Sequence, residues 1–182
     1  MKFTETKLSG LYVIELQTFD DNRGSFFRTF CKKEFESIGF RKEFVQINQS
    51  INRNKYTFRG LHYQTGNHAD TKLIRCIVGE VYDIIVDVRP NSPTYLEHFA
   101  IHLSEKNKKM LLVPEGFAHG FLTLQDNSQL VYQHTAFYEP GHEGMLNYTD
   151  PVLGIQLPHE VEVISDRDQI IPFINPDIPL DI

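Results

Sequence analysis

The sequence contains no tryptophan, only two cysteines and fewer basic than acidic residues. Lys and Arg total 18 against 24 Asp and Glu, which gives a formal net charge of −6 at pH 7. This balance argues against an extended basic surface, so neither nucleic acid nor an anionic membrane is an expected partner. No apolar run approaches the ~20 residues that a membrane-spanning helix needs.

The two cysteines, Cys31 and Cys76, form neither a CxxC pair nor a zinc-ligand pattern. No apolar secretory segment precedes the first polar residues, and two cysteines do not make a disulfide framework. These absences predict a reduced, cytoplasmic protein. With 182 residues, of which 41% are hydrophobic, the chain can bury one sizeable core, and we expect a single domain over residues 1–182.

Short apolar runs rich in Val, Ile, Leu, Phe and Tyr alternate with Gly, Pro, Asn and Asp clusters, a pattern typical of a β-sandwich or barrel. The clearest predicted strands are residues 11–16, 44–48, 72–78, 81–89, 99–103, 110–113, 120–124 and 129–137. A Gly79-Glu80 turn and a turn over residues 104–107 predict two hairpins between the flanking strands.

One short helix is predicted over residues 32–38, where Gly39 ends it. It is too short to determine the fold. The end of the chain contains Pro172, Pro176 and Pro179, and we expect it to lie as a strap over the surface.

Polar side chains interrupt the apolar pattern of the strand predicted at residues 44–48. Gln46 and Asn48 share one face, while Val45 and Ile47 share the other. We expect the apolar face to pack, which leaves Gln46 and Asn48 facing either solvent or a polar cavity.

Residues 58–64 (FRGLHYQ) are crowded with hydrogen-bonding groups around a glycine. Strict alternation would send Arg59 and His62 to opposite faces, whereas a bulge at Gly60 would place both on one face. Downstream, His119 lies in a glycine-flanked turn at the start of a strand. Two histidines that enter from two strands of a β-barrel are similar to the arrangement in cupins.

Several motifs match one enzyme family in the family's own order, over roughly residues 19–172. They include residues 19–26 (FDDNRGSF), 46–50 (QINQS), 59–64 (RGLHYQ), 114–121 (PEGFAHGF) and 165–168 (SDRD). On these motifs the chain resembles the dTDP-4-dehydrorhamnose 3,5-epimerase family, which acts on nucleoside-diphosphate-4-keto-6-deoxyhexoses. The resemblance implies an all-β, cupin-like jelly-roll barrel with a short helix, and a homodimer that exchanges N-terminal strands.

The resemblance also implies residue roles. His62 would be the base, Asp168 the carboxylate that orients it, and Tyr132 the acid on the opposite face of the sugar. Lys72 and Arg59 would lie near the ketone oxygen. The positions that match the substrate-binding pocket are Arg23, Phe26, Gln46, Asn48, Arg59, His119, Tyr138, Glu143 and Arg167. Residues near Arg23 and Phe26 would serve the partner's site, and no cofactor is implied.

These residue types suit epimerisation beside a ketone, which removes a C–H proton, holds an enolate and returns a proton to the other face. Histidine keeps a neutral base abundant near neutrality because its unperturbed pKa is ~6.5. A carboxylate on the second ring nitrogen fixes the tautomer and favours the imidazolium that forms. Tyrosine, with an unperturbed pKa near ~10, stays protonated and can donate.

Each of the four catalytic candidates also has a plain structural explanation. His62 could be a satisfied structural histidine and Tyr132 a core residue. Lys72 could be a solvated charge and Asp168 an exposed turn carboxylate. Their joint presence in the family pattern favours the catalytic interpretation.

A metal-dependent cupin is the main alternative with the same barrel fold. Such sites need about three histidines and a carboxylate on facing strands, often with an HxH pair. Here residues 62–64 read His-Tyr-Gln, and His98 and His102 lie on a predicted strand where i and i+4 are about 13 Å apart. We therefore expect no metal.

Arg28 departs from the family pattern, because dTDP-specific members usually carry Glu there. A guanidinium could satisfy the N3 acceptor of cytosine, whereas a carboxylate suits the N3–H of thymine. Arg28 could thus favour a CDP-sugar, or it could face solvent without a base contact. A 3-only or 5-only epimerase, a cupin 3,4-ketoisomerase acting on a nucleotide sugar, and a binding-only module are the alternative functions.

Overall fold

A computed structural model of the chain describes residues 1–175, Leu180 and Ile182. Numbered in chain order, its strands are β1 (Lys2–Glu5), β2 (Tyr12–Glu15), β3 (Thr18–Asp21), β4 (Gly24–Phe27), β5 (Gln46–Asn52), β6 (Phe58–Gln64), β7 (Lys72–Val78), β8 (Glu80–Asp87), β9 (His98–Ser104), β10 (Met110–Val113), β11 (Phe117–Thr123), β12 (Ser128–His134) and β13 (Glu143–Met145). The helices are α1 (Lys32–Glu36) and α2 (Asp166–Gln169), and neither has the length or apolar character to cross a bilayer.

The strands form two sheets and a separate hairpin. One sheet has the order β1-β2-β10-β7-β12-β5 and the other β13-β6-β11-β8-β9, while β3 pairs with β4. Neighbouring strands in both sheets are antiparallel. This arrangement confirms the predicted all-β jelly roll, and the two sheets stay separate in the described part of the chain rather than joining into a closed ring.

The main core lies between the two sheets, because alternate residues of each strand point inward. Ile74 and Leu130 of the six-stranded sheet meet Ile85, Phe117 and Phe121 of the five-stranded sheet, all of them buried. The same inward faces carry polar residues further along: Lys72 shares parity with Ile74, Tyr132 with Leu130, and His119 with Phe117. The interior is therefore apolar at one end and polar at the other.

A second core covers the outer face of the five-stranded sheet and fixes the path of the C-terminal segment. Buried Phe58, Ile84 and Leu122 pack there with Leu146 and Leu153. The chain beyond residue 153 lies against this cluster and leads into α2. This packing brings α2 to β6, where the site lies.

The predicted hairpins are wrong. β7 and β8 flank the Gly79 turn but belong to different sheets, and β9 and β10 around residues 104–107 do so as well. Gly79 adopts a φ of +73°, so the chain does turn sharply there. A turn signal marks where the chain reverses but not which sheet the next strand joins, and in a jelly roll consecutive strands often change sheets.

Two further predictions at the strand and helix level need correction. Val45 and Ile47, expected to pack, are exposed. Gln46 and Asn48 border a polar cavity, which was one of the two settings expected for them. The helix predicted over residues 32–38 ends at Glu36. In the predicted C-terminal strap, Pro172 lies between two residues that are held by hydrogen bonds: the Ile171 carbonyl accepts from Asn147 and the Ile174 N–H donates to Asp150. Pro176 and Pro179 lie outside the described residues.

The strand has a bulge at Gly60, which was one of the two alternatives left open by the sequence. Arg59 and His62 of β6 pair with Phe121 and His119 of β11, so two residues of β6 oppose one residue of β11. Gly60 has a φ of +128°, and a Cβ there would approach Gly120 Cα to 2.4 Å. The bulge places Arg59 and His62 on the same side, and both line the same cavity.

Gly60→Ala should therefore destabilise the fold and disturb the site together. The positive φ and the overlap with the Gly120 backbone should cost about 3 kcal/mol, a Tm decrease of about 6–12 °C for this chain length. Gly39→Ala is the matched control, since Gly39 has a φ of +85° with nothing within 4 Å of its Cβ position. Equal Tm values for the two variants in a thermal melt would contradict the close approach as the cause.

Candidate active site

A cavity of about 580 Å³ occupies the polar end of the interior between the two sheets. The five-stranded sheet contributes Arg59 and His62 from β6 and His119 from β11. The six-stranded sheet contributes Tyr132 from β12 and Lys72 from β7. A smaller cavity of about 200 Å³ adjoins it and shares His62 and Lys72.

His62 and Asp168 are in direct contact although 106 positions separate them. His62 Nε2 lies 2.8 Å from Asp168 Oδ1, and Asp168 Oδ2 also accepts from the Gly60 backbone N–H at 3.3 Å. Ser165 caps α2 by accepting from the Asp168 N–H at 3.1 Å, which fixes the carboxylate at the start of that turn. Because Asp168 engages Nε2, Nδ1 is the nitrogen available to take a proton.

The pKa of His62 is lowered from its ordinary value of 6.5. Burial disfavours the imidazolium, and the nearby Lys72 and Arg167 cations act in the same direction. Together they outweigh the attraction of Asp168, which favours the charged form. His62 is therefore neutral, and able to act as a base, at lower pH than a free histidine.

The lowered pKa of His62 predicts the acid limb of the pH–rate profile. A base that must be neutral loses activity as the pH falls through its pKa, so kcat/KM should fall on the acid side with a midpoint below 6.5. We would measure kcat/KM between about pH 5 and 8. A midpoint above 6.5 would contradict a neutral His62 as the base.

Tyr132 lines the cavity from the sheet opposite His62 and packs its ring against the main core. Burial strongly raises the pKa of the phenol, and the Asp83 carboxylate adds to that effect, while a hydrogen bond with Ser50 opposes it. The hydroxyl therefore stays protonated over the physiological range. Tyr132 combines a packed ring with a protonated group at the cavity wall.

Lys72 is a cation on the cavity wall beside the dyad. Its Nζ donates to the His62 carbonyl oxygen at 3.3 Å and lies 3.9 Å from Asp70 Oδ1. The side chain is 11% exposed, so its charge faces the cavity rather than bulk solvent. Lys72 lines both cavities.

His119 and Arg59 are each held by a buried partner. His119 Nε2 lies 3.0 Å from Asp83 Oδ2, and both side chains are buried. Burial raises the pKa of Asp83, and the histidine opposes that shift. Arg59 Nε donates to Asn52 Oδ1 at 2.7 Å, which points the guanidinium along the cavity.

The remaining predicted binding residues divide into two groups. Gln46, Asn48, Tyr138, Glu143 and Arg167 line the smaller cavity. There the Tyr138 hydroxyl donates to Glu143 Oε1 at 2.8 Å, and Arg167 Nη2 lies 2.9 Å from Glu143 Oε2.

Arg23, Phe26 and Arg28 do not border either of these two cavities. Arg23 pairs with Asp21 on the exposed β3–β4 hairpin. Phe26 is exposed, and Arg28 Nη1 lies 3.0 Å from Glu34 Oε1. Within one chain the structure therefore does not bring these three residues to the dyad.

Four residues of the site were not predicted from the sequence: Asp70, Asp83, His134 and the Tyr132 partner Ser50. Asp83 had a detectable signal, because it is a carboxylate on the inward parity of an otherwise apolar strand. Asp70 and His134 gave none, since 64 positions separate them and a strand register was needed to bring them together. Among the described residues no group of three or more His, Cys, Asp and Glu side chains converges as a metal site would.

Comparisons with known proteins agree with this arrangement. The family model described as dTDP-4-dehydrorhamnose 3,5-epimerase matches residues 5–175. The Salmonella typhimurium dTDP-4-dehydrorhamnose 3,5-epimerase is 39% identical over 173 residues, with 94% of each chain covered. The solved Bacillus anthracis enzyme of that name, with TDP and PPi bound, aligns with a TM-score of 0.92 and 38% identity over 95% of this chain and 99% of that one.

A Legionella pneumophila dTDP-6-deoxy-D-glucose-3,5-epimerase in complex with dTDP-4-keto-L-rhamnose is also similar. It aligns with a TM-score of 0.90 and 36% identity over 94% of this chain and 92% of that one. The fold and these matches define a cupin-like epimerase. More specifically, the chain belongs to the dTDP-4-dehydrorhamnose 3,5-epimerase family.

Proposed function

We propose that the protein inverts C3 and C5 of a dTDP-linked 4-keto-6-deoxyhexose. One observation carries the proposal: the histidine of the His62–Asp168 pair and the phenol of Tyr132 enter one cavity from opposite sheets. A sugar ring held between them would meet a base on one face and a proton donor on the other. The names of the related proteins supply the substrate class.

The proton steps follow from this placement. His62 takes the proton from the carbon beside the C4 ketone, and Asp168 stabilises the imidazolium that forms. Tyr132 then returns a proton to the opposite face of the enolate. The imidazolium loses its proton to solvent and the tyrosinate regains one, so the groups are reset for the second carbon. General acid–base action of this kind contributes ~10²–10⁴ in rate.

Lys72 is the proposed partner of the enolate oxygen. The charge that develops on this oxygen needs a donor already in place, and one such donor is worth ~2.7–4 kcal/mol. The contacts of Lys72 with the His62 carbonyl and Asp70 hold its ammonium at the cavity wall beside the base. No step requires a cofactor or a metal ion.

Thymine is the proposed nucleobase, because the names of the related proteins contain dTDP or TDP. The alternative is that Arg28 selects cytosine. In the structure the Arg28 guanidinium pairs with Glu34, so this contact would have to break before Arg28 could bind cytosine. Calorimetric titration with dTDP and CDP distinguishes thymine from cytosine, and stronger binding of CDP would overturn the proposal of thymine.

We further propose a homodimer in a reducing, cytoplasmic setting. The edge strand β5 exposes Ile47 and Ile51 on the side opposite the cavity, 68% and 59% exposed. An exposed apolar row on an edge strand favours a protein partner, and a second copy would also supply the partner's Arg23 and Phe26. Both cysteines are free, which suits a reducing compartment.

Ile47→Glu should convert the dimer to a monomer, because a carboxylate in an apolar interface is desolvated without a partner. The monomer should bind dTDP at least about tenfold more weakly, since it lacks the partner's Arg23. Light scattering after size exclusion reports the mass. Val152→Glu, at an apolar residue that is 57% exposed elsewhere, is the control. A dimer that persists in Ile47→Glu would place the interface on another surface.

Product analysis tests the proposed activity itself. Proton NMR of the reaction with dTDP-4-keto-6-deoxyglucose should show the changed proton couplings that report inverted configuration at both C3 and C5. Inversion at one carbon would define a 3-only or 5-only epimerase. Movement of the carbonyl to C3 would define a ketoisomerase, and an unchanged sugar would indicate a binding module.

A further inference from the structure

A second histidine–carboxylate pair borders the cavities. Its carboxylate, Asp70, also contacts Lys72, but the bond between Asp70 and His134 has no part in the proposed steps. His134 Nδ1 lies 2.6 Å from Asp70 Oδ2, and the two side chains are 14% and 3% exposed. His134 follows Tyr132 as the next inward residue of β12. It pairs across strands with Gln46 on β5 and Lys72 on β7. The pair therefore lies among the residues expected to hold the substrate.

A continuous chain of hydrogen bonds leads away from this pair. Asn48 Nδ2 lies 3.3 Å from His134 Nε2, and Gln46 Nε2 donates to Asn48 Oδ1 at 3.2 Å. The Tyr138 backbone N–H donates to Gln46 Oε1 at 3.2 Å. Three of the predicted substrate-binding residues are thus linked in series to a buried carboxylate.

The groups at the two ends of this chain of hydrogen bonds require the same donor-to-acceptor direction. Burial of Asp70 opposes its ionisation, but the Lys72 ammonium and the bond from His134 outweigh it and hold the pKa of Asp70 below its ordinary value. An ionised carboxylate only accepts, so His134 donates to it from Nδ1. Nε2 faces the NH₂ group of Asn48 and therefore accepts. At the other end, a backbone N–H only donates. The NH₂ groups of Asn48 and Gln46 must therefore point toward Asp70, and their carbonyls toward Tyr138.

We propose that His134 and Asp70 are positioning residues, which fix the direction in which the amides of Asn48 and Gln46 point toward the nucleotide part of the substrate. The inference rests on the proposed function. A diphosphate accepts hydrogen bonds and donates none, so it needs N–H groups in defined places. Each amide uses one N–H within the chain and has a second N–H for the ligand. Reversal of the chain would replace those donors with carbonyl oxygens.

Substitutions at the two positions separate direction from packing. His134→Phe fills the same space but breaks the chain. His134→Gln can offer an N–H to Asp70 and a carbonyl to Asn48, as the neutral imidazole does. Asp70→Asn removes the acceptor-only end but also weakens the contact with Lys72, so the two His134 variants carry the test of direction. His102→Phe is a matched control, because His102 lies on β9 away from both cavities.

The binding probe is dTDP, which has no sugar and cannot react. By calorimetry His134→Phe and Asp70→Asn should bind it about 10- to 100-fold more weakly than wild type, the range expected when hydrogen bonds to a charged group are lost. His134→Gln should stay within about threefold of wild type. For the substrate, KM should rise more than kcat falls in His134→Phe, whereas a merely structural defect would lower Tm and reduce active enzyme without this split.

Long-range ¹H–¹⁵N spectra of the wild-type protein provide a test that needs no variant to fold. We expect His134 as the Nδ1–H tautomer, with that preference lost in Asp70→Asn. An Nε2–H tautomer in wild type, or dTDP affinity in His134→Phe equal to wild type, would overturn the inference. Equal weakening in His134→Phe and His134→Gln would also overturn it, since the imidazole itself would then contact the ligand. Failure of wild type to bind dTDP would instead count against the proposed function.

Discussion

His62→Asn should lower kcat for epimerisation by about 10²–10⁴, the contribution typical of a general base. The amide can retain a hydrogen bond to Asp168 but cannot take a proton from carbon near neutral pH. Exchange of the C3 and C5 protons with solvent should fall with turnover. Affinity for dTDP should stay close to wild type, because the base acts on the sugar and not on the nucleotide.

His102→Asn is the matched control for this variant. His102 also faces a carboxylate, with its Nδ1 2.7 Å from Glu80 Oε1, but it does not border either cavity. Its turnover should equal that of wild type. If His62→Asn retained wild-type solvent exchange, His62 would be removed from the mechanism.

Tyr132→Phe should separate proton abstraction from inversion. The ring still packs, and only the hydroxyl that reaches Ser50 and the cavity is lost. His62 can still form the enolate and return a proton to the same face. Solvent exchange should therefore persist while net epimerisation falls by about 10²-fold or more.

Tyr82→Phe controls for the loss of a phenol, since Tyr82 lies on β8 outside the cavity. Deuterium incorporation and product configuration, measured in the same NMR sample, report the two steps separately. If Tyr132→Phe lost exchange and epimerisation equally, the phenol would have to act before or during proton abstraction. Inversion at the wild-type rate would exclude Tyr132 as the acid.

The strand pattern predicted much of the fold because alternation and turn residues are local properties. β7 and β10 match their predicted bounds, and the bulge at Gly60 is one of the two arrangements that the sequence left open for β6. The pairing of strands into sheets was not predictable in this way. Gly79 marks a reversal in either topology, so the sequence could not show that β7 and β8 part into different sheets.

The face of β5 was assigned wrongly for a related reason. Val45 and Ile47 are apolar and were expected to pack within the chain, yet they are exposed. An apolar pattern shows that a strand face is apolar but not whether that face is buried within the chain. On the other face, Asn48 contacts His134 and Gln46 accepts from the Tyr138 backbone N–H. These contacts depend on the pairing of distant segments, which the sequence pattern does not show.

The candidate site was predictable only through the family resemblance. His62 and Asp168 come from distant segments, and no periodicity connects them. The geometry now places the imidazole, the phenol and the Lys72 ammonium around one cavity, while their catalytic roles stay predictions. The Asp70–His134 pair has no counterpart in the motifs and became visible only through the register of β12 with β7.

Solvent labelling of the wild-type reaction tests the central claim most directly. In deuterium oxide, one base and one acid that act in turn beside the C4 ketone should place deuterium at both C3 and C5 of dTDP-4-keto-6-deoxyglucose, with inversion at both carbons. Deuterium absent from C5, or inverted product without any deuterium, would contradict proton transfer through an enolate at both positions.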